Sequence, residues 1–160
     1  MIYCFNLILS IFLLFPLVGE NIDYRNFYAK VVGVKDGDTV VLLVDQQQLV
    51  VRLADIDCPE KNQPYGKAAK AVCSDLCYGK TVQVKSGGKL DRYKRLVAYI
   101  YVDRRVSVNE MMIMKGYAWQ FLKYSKSSHL HNLEMEARNK RMGLWADPNP
   151  VPPWVWRKSK

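Results

Sequence analysis

The chain has 160 residues, of which 49% are hydrophobic, and its formal net charge at pH 7 is +9. This length and composition fit one globular domain with a real core, and we find neither an internal repeat nor a second domain. The positive charge favours a polyanionic partner, either nucleic acid or an anionic membrane surface, although a generically basic protein would show it too.

The N-terminal segment differs sharply from the rest of the chain. Its first 19 residues contain no Lys, Arg, Asp or Glu, and Leu7–Val18 is almost wholly apolar. An apolar run of about a dozen residues is shorter than the roughly 20 of a membrane span and matches the apolar region of a signal peptide. We predict a signal peptide at residues 1–19 and one domain at residues 20–160, secreted or periplasmic; an uncleaved anchor is the alternative.

In the remaining chain, strand patterns are interrupted by one helical pattern after the third strand, and further helical patterns follow the last strand. The predicted strands are Tyr28–Val34, Val40–Val44, Leu49–Leu53, Thr81–Lys85, Leu96–Val102 and a short Val106–Val108. The predicted helices, each ended by a glycine, are Tyr65–Tyr78, Asn109–Lys115 and Ser128–Arg141. Five main strands, with one helix after the third, predict an α+β fold: a five-stranded OB-fold β-barrel with about three α-helices.

The C-terminal tail, residues 146–160, contains four of the seven prolines together with Trp154 and Trp156. The prolines predict an extended segment and argue against a helix. Because two tryptophans are costly to leave in water, we expect the tail to pack on the body of the domain, whose core spans residues 28–145.

Cysteine spacing leaves the thiol state open. Cys4 lies in the predicted signal peptide, so the mature chain keeps Cys58, Cys73 and Cys77. One disulfide from Cys58 to either of the others is possible in an oxidising compartment, and three free thiols are the alternative. A C-x3-C spacing without a second pair nearby is a poor zinc signal.

The segment Asp36–Glu60 carries the clearest functional signal. Its two apolar strands, joined by Asp45–Gln48, predict a β-hairpin that brings Asp57 back towards Asp38, with Arg52 among the acids. Carboxylate oxygens beside an arginine suit a hard divalent cation, here Ca²⁺, and the phosphate it would polarise. The carbonyl of Cys58 is near enough in sequence to join them, although a D-G-D-T turn alone is more often an ordinary hairpin turn.

Two further groups are candidates for phosphodiester chemistry. Glu60 follows Pro59, which fixes the local backbone and could direct the carboxylate at an attacking water; a surface acid is the equal alternative. The loop D-R-Y-K-R, residues 91–95, places three cations and a tyrosine before the strongest strand. Because the donors of a guanidinium group are spaced to bind phosphate oxygens, this loop could bind phosphate. The alternative is a solvated turn without a binding role.

The sequence resembles the thermonuclease family, the Ca²⁺-dependent staphylococcal-nuclease-like enzymes. The matching segments are VVGVKDGDTVVL, VRLADIDCPE, DRYKRLVAYIYV, VNEMMIMKGYAW and RNKRMGLW with its PPWVWR tail. They cover nearly all of residues 28–157 in the family's order. The resemblance implies cleavage of DNA and RNA with 5′-hydroxyl and 3′-phosphate products, Ca²⁺ as cofactor, and a monomer without a stable protein partner. A barrel groove that stacks bases should prefer single strands.

The resemblance also implies roles for nine residues, transferred position by position. They are Asp38, Asp57 and the Cys58 carbonyl for Ca²⁺; Arg52, Glu60 and Arg95 for catalysis; Arg92 and Tyr93 for a substrate phosphate; and Tyr124 for base stacking.

Three positions depart from the family's pattern. Lys94 stands where glycine is usual, so the turn there could differ; Leu122 replaces a second stacking tyrosine; and a disulfide at Cys58 would constrain the cation loop. A non-catalytic OB-fold module that binds nucleic acid is the rival interpretation. Loss of an acid or a catalytic arginine would have indicated it. The five positions of the two cation-binding acids and the three catalytic residues are all filled.

Overall fold

The structure, a computed structural model, describes residues 23–103 and 105–159. The predicted signal peptide and Cys4 lie outside these residues. Within the described part of the chain, every helix is too short or too polar to span a membrane.

Five β-strands close into a barrel in the order β1–β2–β3–β6–β5. Their bounds are β1 Asn26–Asp36, β2 Thr39–Val44, β3 Gln47–Leu53, β5 Thr81–Leu90 and β6 Leu96–Tyr101. All neighbours pair antiparallel except β3 and β6, which are parallel. Two further strands, β4 (Ile56–Asp57) and β7 (Trp119–Gln120), form a separate antiparallel pair.

Three helices of seven or more residues pack around this barrel. They are α1 (Gly66–Cys77), α2 (Val108–Met114) and α3 (Ser128–Asn139), and a 3₁₀ helix (Gly143–Ala146) and α4 (Pro153–Trp156) follow. The predicted α+β fold, a five-stranded OB-type barrel with about three α-helices, is therefore confirmed.

Local hydrogen bonding explains where the predicted boundaries were wrong. The hairpin turn contains only Asp45 and Gln46, both with positive φ (45° and 63°), so β3 begins two residues earlier than predicted, at Gln47 within the polar linker, whereas β2 ends at Val44 as predicted. Val106–Val108 does not form a full strand: only Ser107 pairs, in an isolated antiparallel bridge with Tyr101. Instead, Ser107 caps α2, accepting a hydrogen bond from the Glu110 amide while the Glu110 carboxylate accepts one from the Ser107 amide. This capping box starts the helix at Val108.

The C-terminal tail is partly helical, contrary to the prediction of an extended segment. Pro153 occupies the first turn of α4, where no intrahelical N–H bond is lost. Trp154 stacks on Phe121 with ring centroids 5.6 Å apart and meets Trp119 edge-on at 5.7 Å. The Gln63 side chain donates a hydrogen bond to the carbonyl of Val151. These contacts anchor the tail beside β7.

The barrel interior and α1 share one apolar core. Val40, Leu42, Val51 and Leu53 are fully or almost fully buried on the hairpin strands. Buried Asn109 of α2 donates to the carbonyls of Ala54 and Ala98 and so ties the end of β3 to β6. The backbone that leads to Asp57 is thereby held rigidly against the barrel.

All three described cysteines are buried and free. Of the two predicted alternatives, the structure therefore has three free thiols and not a disulfide. Cys73 and Cys77 lie one turn apart on α1, and the Cys77 thiol donates to the Cys73 carbonyl at 3.1 Å. Burial raises the pKa of the Cys58 thiol well above its ordinary value, and the charge of Asp38 adds to this effect. Cys58 therefore stays protonated and does not supply a thiolate.

Candidate active site

Two predicted cation ligands and one predicted catalytic arginine meet at the base of the β2–β3 hairpin. The hairpin register pairs Thr39 with Arg52, which places Asp38 beside the arginine. Arg52 Nη2 lies 3.1 Å from Asp38 Oδ2 and 2.9 Å from Asp57 Oδ1. One nitrogen atom therefore contacts both carboxylates, although 19 positions separate them in the chain.

Asp38 is fixed by further hydrogen bonds and by close packing of the backbone. The amide of Cys58 donates to Asp38 Oδ2 at 2.8 Å, and the Thr39 hydroxyl donates to Oδ1 at 3.1 Å. A Cβ atom at Gly37 would lie 2.8 Å from the Cβ atoms of both Cys58 and Ala69. Glycine is therefore required between the two aspartates of the D-G-D-T turn for the loop at Cys58 to approach it.

The acid cluster consists of Asp36, Asp38 and Asp57. It carries more negative charge than the arginines beside it balance. The side chains of Asp38 and Asp57 are only 8% and 2% exposed, and Arg52 is 12% exposed. Burial raises the pKa of Asp57, and burial together with the charge of Asp38 raises the pKa of Asp36 to about 6. Burial opposes the charge on Arg52, yet the neighbouring aspartates raise its pKa overall. Such a cluster attracts a cation.

Glu60 lies at the edge of this cluster, in the turn before α1. Its amide donates to the Gln63 side chain, and its carbonyl accepts from the Gln63 amide. A Cβ atom at Gly66 would lie 1.8 Å from the Glu60 carbonyl oxygen, so the start of α1 presses directly on this turn. The Glu60 side chain is 41% exposed and so open to water.

Arg157, which was not singled out from the sequence, contacts two of the predicted site acids. Its Nη2 lies 2.7 Å from Asp57 Oδ2, and its Nη1 lies 2.6 Å from Glu60 Oε1 and 3.3 Å from Asp57 Oδ1. These hydrogen bonds raise the pKa of the Arg157 guanidinium despite its partial burial. The only sequence signal was its place in the PPWVWR tail.

Arg95 belongs to the neighbouring loop and is not drawn into the acid cluster by an ion pair in the described structure. Its guanidinium pairs with Asp91, through Nε at 2.9 Å and Nη2 at 2.8 Å. Asp91 also accepts from the amides of Tyr93 and Arg95, and these bonds lower its pKa although burial opposes them. Arg95 directly precedes β6, whose first residue Leu96 has Val51 as register partner, so Arg95 lies at the start of the strand that pairs with the strand of Arg52.

Two arginines of this loop, Arg92 and Arg95, flank an exposed tyrosine. The guanidinium carbons of Arg92 and Arg95 lie 4.7 Å and 5.2 Å from the centre of the Tyr93 ring, and Arg92 also donates to the Tyr93 hydroxyl. Lys94 adopts φ 60°, a left-handed conformation that favours glycine. The turn for which glycine is usual thus forms here with lysine, at a cost in strain.

Tyr124 lies in the loop after β7, next to the strand that carries Asp57. The amide of Phe121 donates to the Asp55 carbonyl and fixes this loop against β4. Tyr124 is 68% exposed, meets Phe121 edge-on at 5.0 Å and has the Lys123 ammonium 5.4 Å from its ring centre. Leu122 is exposed as well. An aromatic face with a cation beside it suits a stacked base.

The donor set of this site fits a hard divalent cation. Two carboxylates supply oxygen atoms, which Ca²⁺ prefers, and the Cys58 carbonyl would add a third; the three acids Asp36, Asp38 and Asp57 also outnumber Arg52 and Arg157 beside them. Among residues 23–103 and 105–159, no three His, Cys, Asp or Glu side chains are grouped to hold a metal. A site of two carboxylates and one carbonyl needs no such group, because water and substrate oxygens would complete it.

Comparison with known proteins shows that the chain is similar to proteins named nucleases and endonucleases. Residues 50–147 match the family model described as staphylococcal nuclease homologue. An uncharacterized endonuclease of Escherichia coli O157:H7 is 38% identical over 135 residues, which cover 84% of this chain and 88% of that protein. A micrococcal nuclease of Shigella flexneri is 37% identical over 146 residues, covering 85% and 83%. A staphylococcal-like nuclease of Arabidopsis thaliana is 44% identical over 110 residues, which cover 69% of this chain and 33% of the plant protein.

Proposed function

This chain belongs to the family of staphylococcal nuclease homologues, and on that premise we propose that it is a nuclease. As a hydrolase it would cleave phosphodiester bonds in DNA and RNA, with Ca²⁺ as cofactor and with 5′-hydroxyl and 3′-phosphate products. The observation that carries the proposal is the convergence of Asp38 and Asp57 on one nitrogen of Arg52. We further propose that it acts as a monomer, secreted or periplasmic after loss of residues 1–19.

Asp38, Asp57 and the carbonyl of Cys58 would hold the cation. When bound, Ca²⁺ would supply positive charge that polarises the phosphodiester and favours attack by water. The protein contributes a fixed frame for this charge, because the Cys58 amide and the Thr39 hydroxyl keep the Asp38 carboxylate in place.

Glu60 is the group placed to accept a proton from the attacking water. Its carboxylate is attached to a turn that Gln63 and Gly66 hold against α1, yet the side chain reaches solvent. A carboxylate in this position acts as a general base and also orients the water. The exposed half of the side chain gives the water access.

Two arginines would stabilise the charge that develops on the phosphate oxygens. Arg52 is fixed by the buried aspartates, and Arg95 is oriented by Asp91 while its side chain stays 27% exposed. Donors that are already oriented cost no reorganisation in the transition state, which is why they accelerate the reaction.

The substrate strand would follow the aromatic and basic loops beside the cluster. Tyr93 with Arg92 offers contacts to a phosphate, and Tyr124 offers an exposed ring for a base. Stacking on aromatic rings needs unpaired bases, so single strands should be cleaved faster than duplexes.

The test is hydrolysis of denatured DNA and of RNA by residues 20–160, with Ca²⁺ and then with excess chelator. Cleavage that requires Ca²⁺ and leaves 3′-phosphate ends supports the proposal. Binding without cleavage by a folded protein would instead indicate the non-catalytic OB-fold module. Export is tested separately by the N-terminal sequence of the protein recovered outside the cytoplasm.

A further inference from the structure

The C-terminal tail delivers a second arginine to the acid cluster. Arg157 donates to both oxygens of Asp57 and to Glu60, whereas Arg52 contacts Asp57 only through Oδ1. Arg157 lies outside residues 50–147, which match the family model. Its contacts place a second arginine beside Asp57, where the sequence predicted Arg52 alone.

These contacts involve atoms that the proposed reaction needs. Asp57 is a proposed ligand of the cation, and a guanidinium that donates to both of its oxygens occupies the directions from which a cation would be bound. The positive charge of Arg157 would also repel Ca²⁺ at this distance. Arg157 and the cation therefore compete for the same carboxylate.

Arg157 can leave the acids without disrupting the domain. Its side chain is 42% exposed, against 12% for Arg52, and it directly follows α4. The tail is held upstream, where Trp154 stacks on Phe121 and Gln63 bonds to the Val151 carbonyl. A change of side-chain rotamer at Arg157 leaves both anchors in place.

We propose that Arg157 is an internal counter-ion of the active site that the divalent cation displaces. This inference rests on the proposed function. In the cation-free protein Arg157 neutralises Asp57 and Glu60. When the cation binds Asp57, the guanidinium moves away, and the same movement releases the Glu60 carboxylate. Cation binding would in this way free the general base from its ion pair with Arg157.

The test compares Arg157→Gln with Lys158→Gln, an adjacent substitution that removes the same charge from an exposed position. Calorimetric titration with Ca²⁺ measures affinity without any substrate. We expect a dissociation constant about three- to tenfold lower for Arg157→Gln, because a partly exposed, charge-assisted pair no longer has to be broken. For Lys158→Gln we expect a change below about twofold, since Lys158 is exposed and forms no ion pair with a described residue.

Thermal unfolding adds a second readout. With chelator, Arg157→Gln should unfold at a lower temperature than the wild type, because two acids lose their counter-ion; with saturating Ca²⁺ the difference should vanish. Equal or weaker Ca²⁺ binding by a folded Arg157→Gln variant would overturn the proposal while leaving the proposed function intact. Failure of the wild type and the variant alike to bind Ca²⁺ would overturn both.

Discussion

Arg52 and Asp57 form an ion pair of 2.9 Å in which the side chains are only 12% and 2% exposed. Transfer of both groups out of water is costly, and the second carboxylate on the same nitrogen, from Asp38, adds repulsion. Stability alone does not explain such a cluster, since apolar residues of similar size would often serve at least as well. The arrangement is better explained by the need to hold acids where a cation can bind them.

We expect Arg52→Met to lose roughly 3–5 kcal/mol of unfolding free energy, because it leaves buried Asp38 without its counter-ion and buried Asp57 with only the partly exposed Arg157. Nuclease activity should vanish. Urea unfolding with chelator measures the loss, and added Ca²⁺ should restore part of it by neutralising the acids. Arg25→Met is the control: both Arg25 and its partner Asp23 are exposed, so the loss should be far smaller. A loss as small for Arg52→Met would mean that water solvates the cluster.

Glu60→Gln should lower the turnover rate about 10²- to 10⁴-fold, the range typical of a lost general base. The side chain is 41% exposed, so stability should change little. Hydrolysis of denatured DNA under saturating conditions gives the rate. Glu136→Gln, which removes an exposed acid paired with Lys140, should keep wild-type turnover. Unchanged turnover in Glu60→Gln would remove Glu60 from the mechanism.

The sequence predicted those parts of the site that depend on local patterns. Two apolar runs joined by a polar linker predicted the β2–β3 hairpin, and a hairpin returns Asp57 towards Asp38. Gly37 could be recognised as part of a turn, although the close approach of Cys58 that requires it appears only in three dimensions. The barrel followed from the same reasoning, because strand order and spacing limit how five strands can close.

The parts that were not predicted depend on contacts between distant segments. Arg157 meets Asp57 across 100 positions, through the packing of Trp154 on Phe121, which no periodicity encodes. The strands β4 and β7 have two residues each, too few to show an alternating pattern. The capping box at Ser107 replaced a predicted strand because a side-chain hydrogen bond outweighed the strand preference of the neighbouring valines.

Lys94→Gly should stabilise the protein by about 0.5–1 kcal/mol. The left-handed conformation of Lys94 costs a residue with a Cβ atom roughly 1–2 kcal/mol, and the greater chain entropy of glycine offsets part of the gain. Urea unfolding measures the change. Lys94→Ala is the matched control, since it removes the charge and keeps the Cβ atom; its stability should equal that of the wild type. Equal stability of Lys94→Gly and Lys94→Ala would show that the loss of charge, not the backbone conformation, changes the free energy of unfolding.

The three thiols should be unreactive in the native protein and fully reactive in the unfolded one. Cys58, Cys73 and Cys77 are all buried, and burial suppresses the reactive thiolate of Cys58. Titration with a chromogenic disulfide reagent should give almost no colour in buffer and about three equivalents in denaturant for residues 20–160. One equivalent in denaturant would reveal a disulfide.

Asp91→Ala should lower kcat/KM about tenfold, because Arg95 loses the carboxylate that fixes its guanidinium. Arg95→Ala should cost more, about 10²- to 10³-fold, since the donor itself is gone. If Asp91 acts through Arg95, the double variant should be no slower than Arg95→Ala alone. Asp103→Ala provides the control: Asp103 likewise accepts hydrogen bonds from two amides of its own turn, but pairs with no catalytic arginine. Multiplicative losses in the double variant would assign Asp91 a role in the site separate from that of Arg95.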